Sequence, residues 1–363
     1  MNKVFIVTGE VSGDLVAAWF VQHKIKQVIP GEVYLEGVGG DALMACGVAL
    51  HSSFKKLNVV GLVEIIKRLP NILRIMRQLA DHIVTQRFSH VVLVDFPGFN
   101  MRLGVLLKAR NSALKIIYLA PPQLWCWGQW RLKCLKRIAD ELVVLFPFEV
   151  AWYRQHAVAV RYLGNPVADR VLPAVRQSLM PRFRLGVFPG SRVQEVENFV
   201  PLLRETLSSL LEKFPQLEVA IFQASHIERV LLEPLIQIAG DRTVVVNSED
   251  RLSAMQSCAV ALTKAGTVTL ELGLLRIQTV IFYKAHWLTY ALAKTLVSID
   301  RMGLPNIIAQ ADLMPEFIQH DCTAAKLVVA VSKVLILYQK NEAAYVENRE
   351  QLARLEQLFA QTP

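Results

Sequence analysis

Hydrophobic positions in this chain come as short, nearly unbroken blocks separated by longer stretches with helical spacing. In the first half the blocks are Val4–Thr8, Val33–Val38, Val91–Asp95, Lys115–Leu119, Glu141–Leu145 and Val160–Leu163, most of them rich in β-branched residues. Such runs predict strands covered by helices on both faces, as in a parallel sheet. Between them, segments such as Asp14–Val28 and Met101–Arg110 repeat apolar residues at the helical period. Strands and helices in that order predict a doubly wound α/β sheet.

The alternation breaks at Asn165–Arg182, where three prolines sit among mixed polar residues and predict a linker. It resumes with strands at Arg184–Phe188, Glu218–Phe222, Thr243–Val246, Val260–Leu262 and Thr279–Phe282, and the tail from Ala324 to Phe359 reads as helical. The pattern predicts two Rossmann-like domains facing a cleft, over residues 1–168 and 169–338. A C-terminal helix over 339–363 would pack back on its own chain or exchange with a partner. A length of 363 residues suits two such domains. The same topology would serve a dehydrogenase or a two-domain binding protein, so it decides no function.

Composition narrows the class. With 53% hydrophobic and 20% charged residues the chain is neither disordered nor fibrous. A mean hydropathy of +0.34 is high for a soluble protein. Its longest apolar runs, such as Val59–Ile66, nevertheless fall far short of the roughly 18 residues of a membrane span. Both facts suit a peripheral membrane protein or a tightly packed α/β enzyme. The net charge of +9 calls for an anionic partner. No run of five Lys or Arg occurs and no nucleic-acid module is readable, so nucleic acid is not the expected one. The five cysteines lack C-x-x-C spacing and read as reduced, buried hydrophobes. Met1-Asn2-Lys3 leads straight into a strand, so no signal peptide is expected and folding is expected in the cytoplasm.

Several loops that follow strands carry candidate chemistry. Gly9-Glu10-Val11-Ser12-Gly13-Asp14 leads from the first strand into a helix, where free N–H groups can meet an anion. The alternative is a tight turn capped by Ser12 or Asp14. Asp95 ends a buried strand, the place where α/β sheets bind ligands, and could act as a general base or merely cap the turn. In Pro122-Gln123-Leu124-Trp125-Cys126-Trp127-Gly128-Gln129-Trp130 the tryptophans offer flat apolar surface to a sugar or acyl chain, or else pack inside. Pro189-Gly190-Ser191-Arg192 and Lys264-Ala265-Gly266-Thr267 are both Gly-containing strand-to-helix loops. Together they suggest a diphosphate cradle, with Arg192 supplying charge and Glu271, one turn along the helix from Thr267, accepting from ribose hydroxyls.

The ordered set Gly9-Glu10-x-Ser12-Gly13-Asp14, Pro122-Gln123-x-Trp125-x-Trp127, Pro189-Gly190-Ser191-Arg192-x-x-Glu195-Val196 and Leu304-Pro305-Asn306 resembles the lipid-A-disaccharide synthase family from residue 4 to about 310. The resemblance implies an α/β GT-B fold and an inverting transfer without catalytic metal or cofactor. The implied substrates are UDP-diacylglucosamine and a lipid monosaccharide 1-phosphate, joined at the inner face of the cytoplasmic membrane. It implies Asp95 as base, with Ser12, Gly190, Ser191, Arg192, Gly266, Thr267, Glu271 and Asn306 around the donor. Gln123, Trp125 and Trp127 would contact acceptor or acyl chains. Some members of the family are homodimers. The chain departs from the family at Gly98 (often acidic), Gly128 (often Arg), Asn165 (commonly His), Lys264 (usually Ser) and Gln278 (Pro nearby).

The residues agree with that chemistry. No D-x-D motif is present, so Arg192 and helix N-termini are expected to take the leaving-group charge. Over Phe54–Leu79, Leu62, Ile66, Leu69, Leu73 and Met76 recur at helical spacing among Lys and Arg residues. This predicts either a basic amphipathic patch on an anionic membrane surface or a core-facing helix with a solvated basic face. Two other classes share the nucleotide loops: another GT-B UDP-sugar enzyme, such as an epimerase, and a non-catalytic binding protein.

Overall fold

A computed structural model of the chain describes residues 1–54, 62–175, 181–247, 251–285, 290 and 300–360, with side chains described for all of these except 62–69. The chain divides into two units, the first ending at Pro166 and the second beginning at Val167.

The first unit holds strands β1 (Asn2–Val7), β2 (Val33–Gly39), β3 (Ala49–Ser53), β4 (His90–Val94), β5 (Lys115–Leu119), β6 (Glu141–Val144) and β7 (Arg161–Tyr162). They form one sheet in the order β3-β2-β1-β4-β5-β6-β7, every ladder parallel. Alternate residues feed opposite faces, which is why the strands read as unbroken apolar runs. Val4, Ile6, Val92 and Val94 pack under helices α1 (Val11–His23), α2 (Ile25–Val28) and α3 (Asp41–Ala45). Phe5, Val7, Val91 and Leu93 pack under α4 (Leu62–Thr85), α5 (Pro97–Arg110), α6 (Leu132–Ile138) and α7 (Pro147–Gln155).

The expected linker is in part a helix. Residues Pro166–Val175 form α8, which buries Ala168 and Val171. Pro166 stands at its first position, where a missing N–H costs nothing, so a proline-rich composition and a helix coexist.

In the second unit β8 (Arg182–Phe188), β9 (Glu218–Phe222), β10 (Thr243–Val246), β11 (Cys258–Lys264), β12 (Gln278–Tyr283) and β13 (Glu316–Ile318) pair in the order β10-β9-β8-β11-β12-β13. All of these ladders are parallel too. The helices are α9 (Val193–Lys213), α10 (Glu233–Ala239), α11 (Arg251–Gln256), α12 (Thr267–Leu274), α13 (Leu304–Ala309), α14 (Ala324–Lys340), α15 (Glu342–Glu350) and α16 (Ala353–Ala360). The last two pack back on the second unit. Tyr345 is buried and donates to the Ala259 carbonyl at 2.7 Å, while Arg276 bridges Glu350 at 2.8 Å and Glu356 at 2.9 Å.

Candidate active site

Each sheet reverses its strand order once, between β1 and β4 in the first unit and between β8 and β11 in the second. Loops leaving two neighbouring strands in opposite directions open a crevice at the carboxyl ends of those strands, where ligands of open α/β sheets bind. The loops singled out in the sequence flank these two points: Gly9–Asp14 follows β1, Asp95 follows β4, Gly190–Arg192 follows β8 and Gly266–Thr267 follows β11.

In the first unit Asp95 and Phe96 both have φ of +47°, a left-handed backbone that costs a non-glycine residue energy and needs outside support. That support is visible. Asn100 Nδ2, buried, donates to the carbonyls of Val94 (3.0 Å) and Asp95 (2.9 Å), and the Tyr118 hydroxyl donates to the Asp95 carbonyl at 3.0 Å. The Phe96 ring then lies against Gly9, where a Cβ would fall 2.2 Å from it. Only glycine admits that approach. Burial pushes the Asp95 carboxyl up to about 6, the negative charge of Glu10 adds to the rise, and the Phe96 amide partly offsets it. A carboxylate so tuned is a competent base near neutral pH.

Neither Ser12 nor Asp14 caps α1, which has no side-chain cap. Asp14 is buried and instead accepts from the amides of Gly40 (2.7 Å) and Ala42 (3.0 Å), capping α3. Ser12 lies exposed in the first turn of α1.

The tryptophan loop splits between the two roles weighed for it. Trp125 is buried, edge-on to Phe148 at 5.0 Å, and its Nε1 donates to Glu149 Oε1 at 3.1 Å. Its assignment to acyl or acceptor contact is therefore corrected: the ring is a core anchor. Glu149 is itself buried and accepts from the amides of Leu145 and Phe146, and burial pushes its carboxyl up to about 7. With Trp125 held, Gln123, Trp127 and Trp130 stay exposed, Trp130 at 67%. Gly128, in place of a side chain, has φ +73° and lets the Arg131 guanidinium fold back to 4.3 Å from the Trp127 ring centre.

In the second unit the two glycine loops meet. Gly190 has φ +142°, and Ser191 N donates to Glu195 Oε2 at 3.1 Å. His226 Nε2 donates to the Ser191 carbonyl. Lys264, the departure from Ser, bonds Glu195 at 2.9 Å and thereby joins one loop to the other; together with the Ser191 amide it holds the Glu195 carboxyl below its ordinary value, against the desolvation that raises it. Arg192 is exposed at the start of α9, and Thr267 is exposed at the start of α12. Glu271 is buried, with Oε1 on Arg170 at 2.7 Å and Arg251 Nε 3.5 Å from Oε2. That Oε2 accepts no hydrogen bond. A buried acceptor left open in this way suits a hydroxyl donor. Sequence reasoning did not single out Arg170, Arg251 or His226, which come from distant segments without a motif.

The family profile described as Lipid-A-disaccharide synthetase matches residues 4–362. The chain belongs to the lipid-A-disaccharide synthase family. The lipid-A-disaccharide synthase of Geobacter sulfurreducens is 34% identical over 356 residues, covering 95% of this chain and 90% of its own. That of Aeromonas hydrophila is 33% identical over 362 residues, covering 97% and 94%. Among solved structures, the UDP-GlcNAc 2-epimerase from Neisseria meningitidis bound to UDP-GlcNAc has a TM-score of 0.62 at 10% identity, covering 96% of this chain and 94% of its own. The glycotransferase of kitacinnamycin has 0.61 at 13%, covering 99% and 96%. These likenesses establish the GT-B fold and no more.

Two further assignments change for this synthase family member. Asn306, placed near the donor by resemblance, is buried and spent on its own loop. Its Nδ2 donates to the Met314 carbonyl at 2.7 Å and to Glu316 Oε1 at 2.6 Å, and its Oδ1 accepts from Met314 N at 2.9 Å. It holds the loop from Asn306 to Glu316. Met76, placed in the membrane patch, is 4% exposed and packs with Leu79, Ala80 and Ile83 in the core. One apolar stripe cannot serve two surfaces, and in this half of α4 the sheet takes it. Leu73 stays half-exposed, while the side chains of Leu62, Ile66 and Leu69 lie outside the described residues. Among the described residues no helix is long and apolar enough to cross a membrane.

Proposed function

We propose that this chain is a lipid-A-disaccharide synthase that moves 2,3-diacylglucosamine from UDP to the 6-hydroxyl of 2,3-diacylglucosamine 1-phosphate. The observation that carries the mechanism is the strained, part-buried Asp95 with its carboxyl raised to about 6, standing at the β1/β4 reversal. Asp95 takes the proton of the acceptor hydroxyl as its oxygen attacks the anomeric carbon. The bond to UDP breaks on the opposite face, the configuration inverts to β, and the proton on Asp95 passes to solvent.

The leaving diphosphate is met by the N–H groups at the starts of α9 and α12 and by Arg192, with Gly190, Ser191, Gly266 and Thr267 allowing close approach. Glu271 Oε2 accepts from a ribose hydroxyl, which supplies the donor it lacks. Ser12, exposed in the first turn of α1, serves the donor side. Gln123, Trp127 and Trp130 offer the exposed amide and aromatic surface suited to the acylated sugars. The net charge of +9 and the basic residues Lys55, Lys56, Lys67, Arg68, Arg74 and Arg77 support docking at an anionic membrane, on the inner face of the cytoplasmic membrane where such substrates reside.

The test is incubation with UDP-diacylglucosamine and its acceptor, following UDP release and disaccharide phosphate. Wild type should form both in equal amounts, and Asp95→Asn should form neither while still binding UDP. UDP release without disaccharide, or C2 epimerisation of the sugar, would reject the transfer. Flotation with anionic vesicles should be salt-sensitive; equal binding to neutral vesicles would reject the electrostatic docking.

A further inference from the structure

On the α4 face of the first sheet, away from the edge that carries Asp95, three side chains converge that the transfer does not use. Glu36 stands in the middle of β2, level with Phe5, and Phe5 is level with Val91 on β4. Asp95 lies four residues beyond Val91, about 13 Å along the strand direction at ~3.3 Å per residue. Glu36 Oε1 lies 2.7 Å from His82 Nε2, near the end of α4, and 3.3 Å from His51 Nδ1 on β3. The donor atoms of all three residues fall within 4.8 Å of one another.

Their surroundings favour a cation over a simple hydrogen-bonded knot. The two imidazole rings lie 4.2 Å apart, tilted by 37°, so two imidazolium charges would repel at close range. Phe5 walls both rings at 5.9 and 5.8 Å, and Phe88 walls His82 at 6.0 Å. Two neutral imidazoles and a carboxylate are the donor set of a borderline divalent transition metal, not of magnesium or calcium. In a tetrahedral zinc site with bonds of about 2.0–2.1 Å the donors stand ~3.3 Å apart. The 3.3 Å separation already matches, and the 2.7 Å one needs only a small opening.

The backbone is also shaped for it. Gly37 pairs with Leu50 but Val38 with Ser52, so His51 is the extra residue of a β-bulge, a device that re-aims a side chain. β3 is the sheet edge, and His51 is partly exposed there, leaving an approach for the ion and a position for water.

We propose that Glu36, His51 and His82 form a zinc-class metal site that ties the edge strand β3 and the end of α4 to β2. The ion would hold both ends of the chain between His51 and His82, the segment that carries Lys55, Lys56, Lys67, Arg68, Arg74 and Arg77.

The test uses the untagged full chain, stripped with chelator and titrated with zinc and with cobalt(II). One equivalent should bind, the cobalt form should show the intense visible bands of a tetrahedral site, and zinc should raise the melting temperature. His51→Gln and His82→Gln should each weaken zinc at least about tenfold and abolish the thermal shift. Should His82→Gln fail to fold, His51→Gln, on the exposed edge, carries the comparison. Wild type binding zinc no more tightly than His51→Gln, or magnesium matching zinc, would overturn the site.

Discussion

At the residue scale, Asp95 joins strain, burial and a like charge in one carboxyl. As the proposed base, Asp95 works only when ionised, so kcat/KM should rise with pH through about 6 and level off above it. Glu10→Gln removes the like charge and should move that limb to lower pH; a pH–rate profile that stays in place would remove Glu10 from the tuning. The stability effect has the opposite sense. A carboxyl raised in the folded state contributes stability at low pH that is lost as pH rises through about 6. Asp95→Asn should therefore stabilise at pH 7.5, on the order of 1–2 kcal/mol once solvent screening of a part-buried group is allowed for, while abolishing turnover. Urea unfolding of the two proteins measures it.

At the element scale, two contacts hold loops that no single element could hold. Glu149, at the start of α7, fixes the tryptophan loop by accepting from Trp125 and from two amides. Glu149→Ala leaves three donors without a partner and should cost about 3 kcal/mol or more, with loss of acceptor affinity as Trp127 and Trp130 lose their platform. Glu149→Gln, which keeps an acceptor, should recover part of both in unfolding and KM measurements. Between β8 and β11, Lys264 neutralises Glu195 beside the Gly190–Arg192 loop. Lys264→Ser should weaken UDP by roughly fivefold in calorimetry, the equivalent of about 1 kcal/mol for a part-buried pair. An unchanged affinity would mean that Arg192 alone balances Glu195.

At the scale of the whole molecule, the second sheet is finished by the end of the chain. Tyr345, Leu352, Leu355 and Phe359 are buried, and Arg276 is paired only with carboxylates of α15 and α16 among the ion pairs of the described residues. Four such side chains at about 1.5–3 kcal/mol each rival the whole stability of a domain. Ending the chain after Lys340 should give a second unit that no longer unfolds cooperatively or binds UDP, seen by calorimetry and by the soluble fraction on expression. A truncated chain with unchanged UDP affinity would show that these helices are dispensable.

Much was legible in the sequence because it follows from local pattern. Strands buried on both faces must be continuously apolar, so Lys115–Leu119 and Glu218–Phe222 can be read to the residue. The edge strands β3 and β13 were not legible, because an edge half open to water carries polar residues such as His51, Ser52 and Glu316. The glycine loops after strands were legible as the candidate diphosphate cradle, since such turns can bring a helix N-terminus to a phosphate. The chain by itself therefore determined the class of fold, the order of its strands along the sequence, the family and the loops that carry its motifs. Tertiary structure alone decided which strands are neighbours, and with them the β1/β4 and β8/β11 reversals where those loops gather. It also decided which face of each side chain is spent inside. Trp125, Met76 and Asn306 went to the core because burial and pairing depend on partners far away in sequence, as does the meeting of Glu36, His51 and His82.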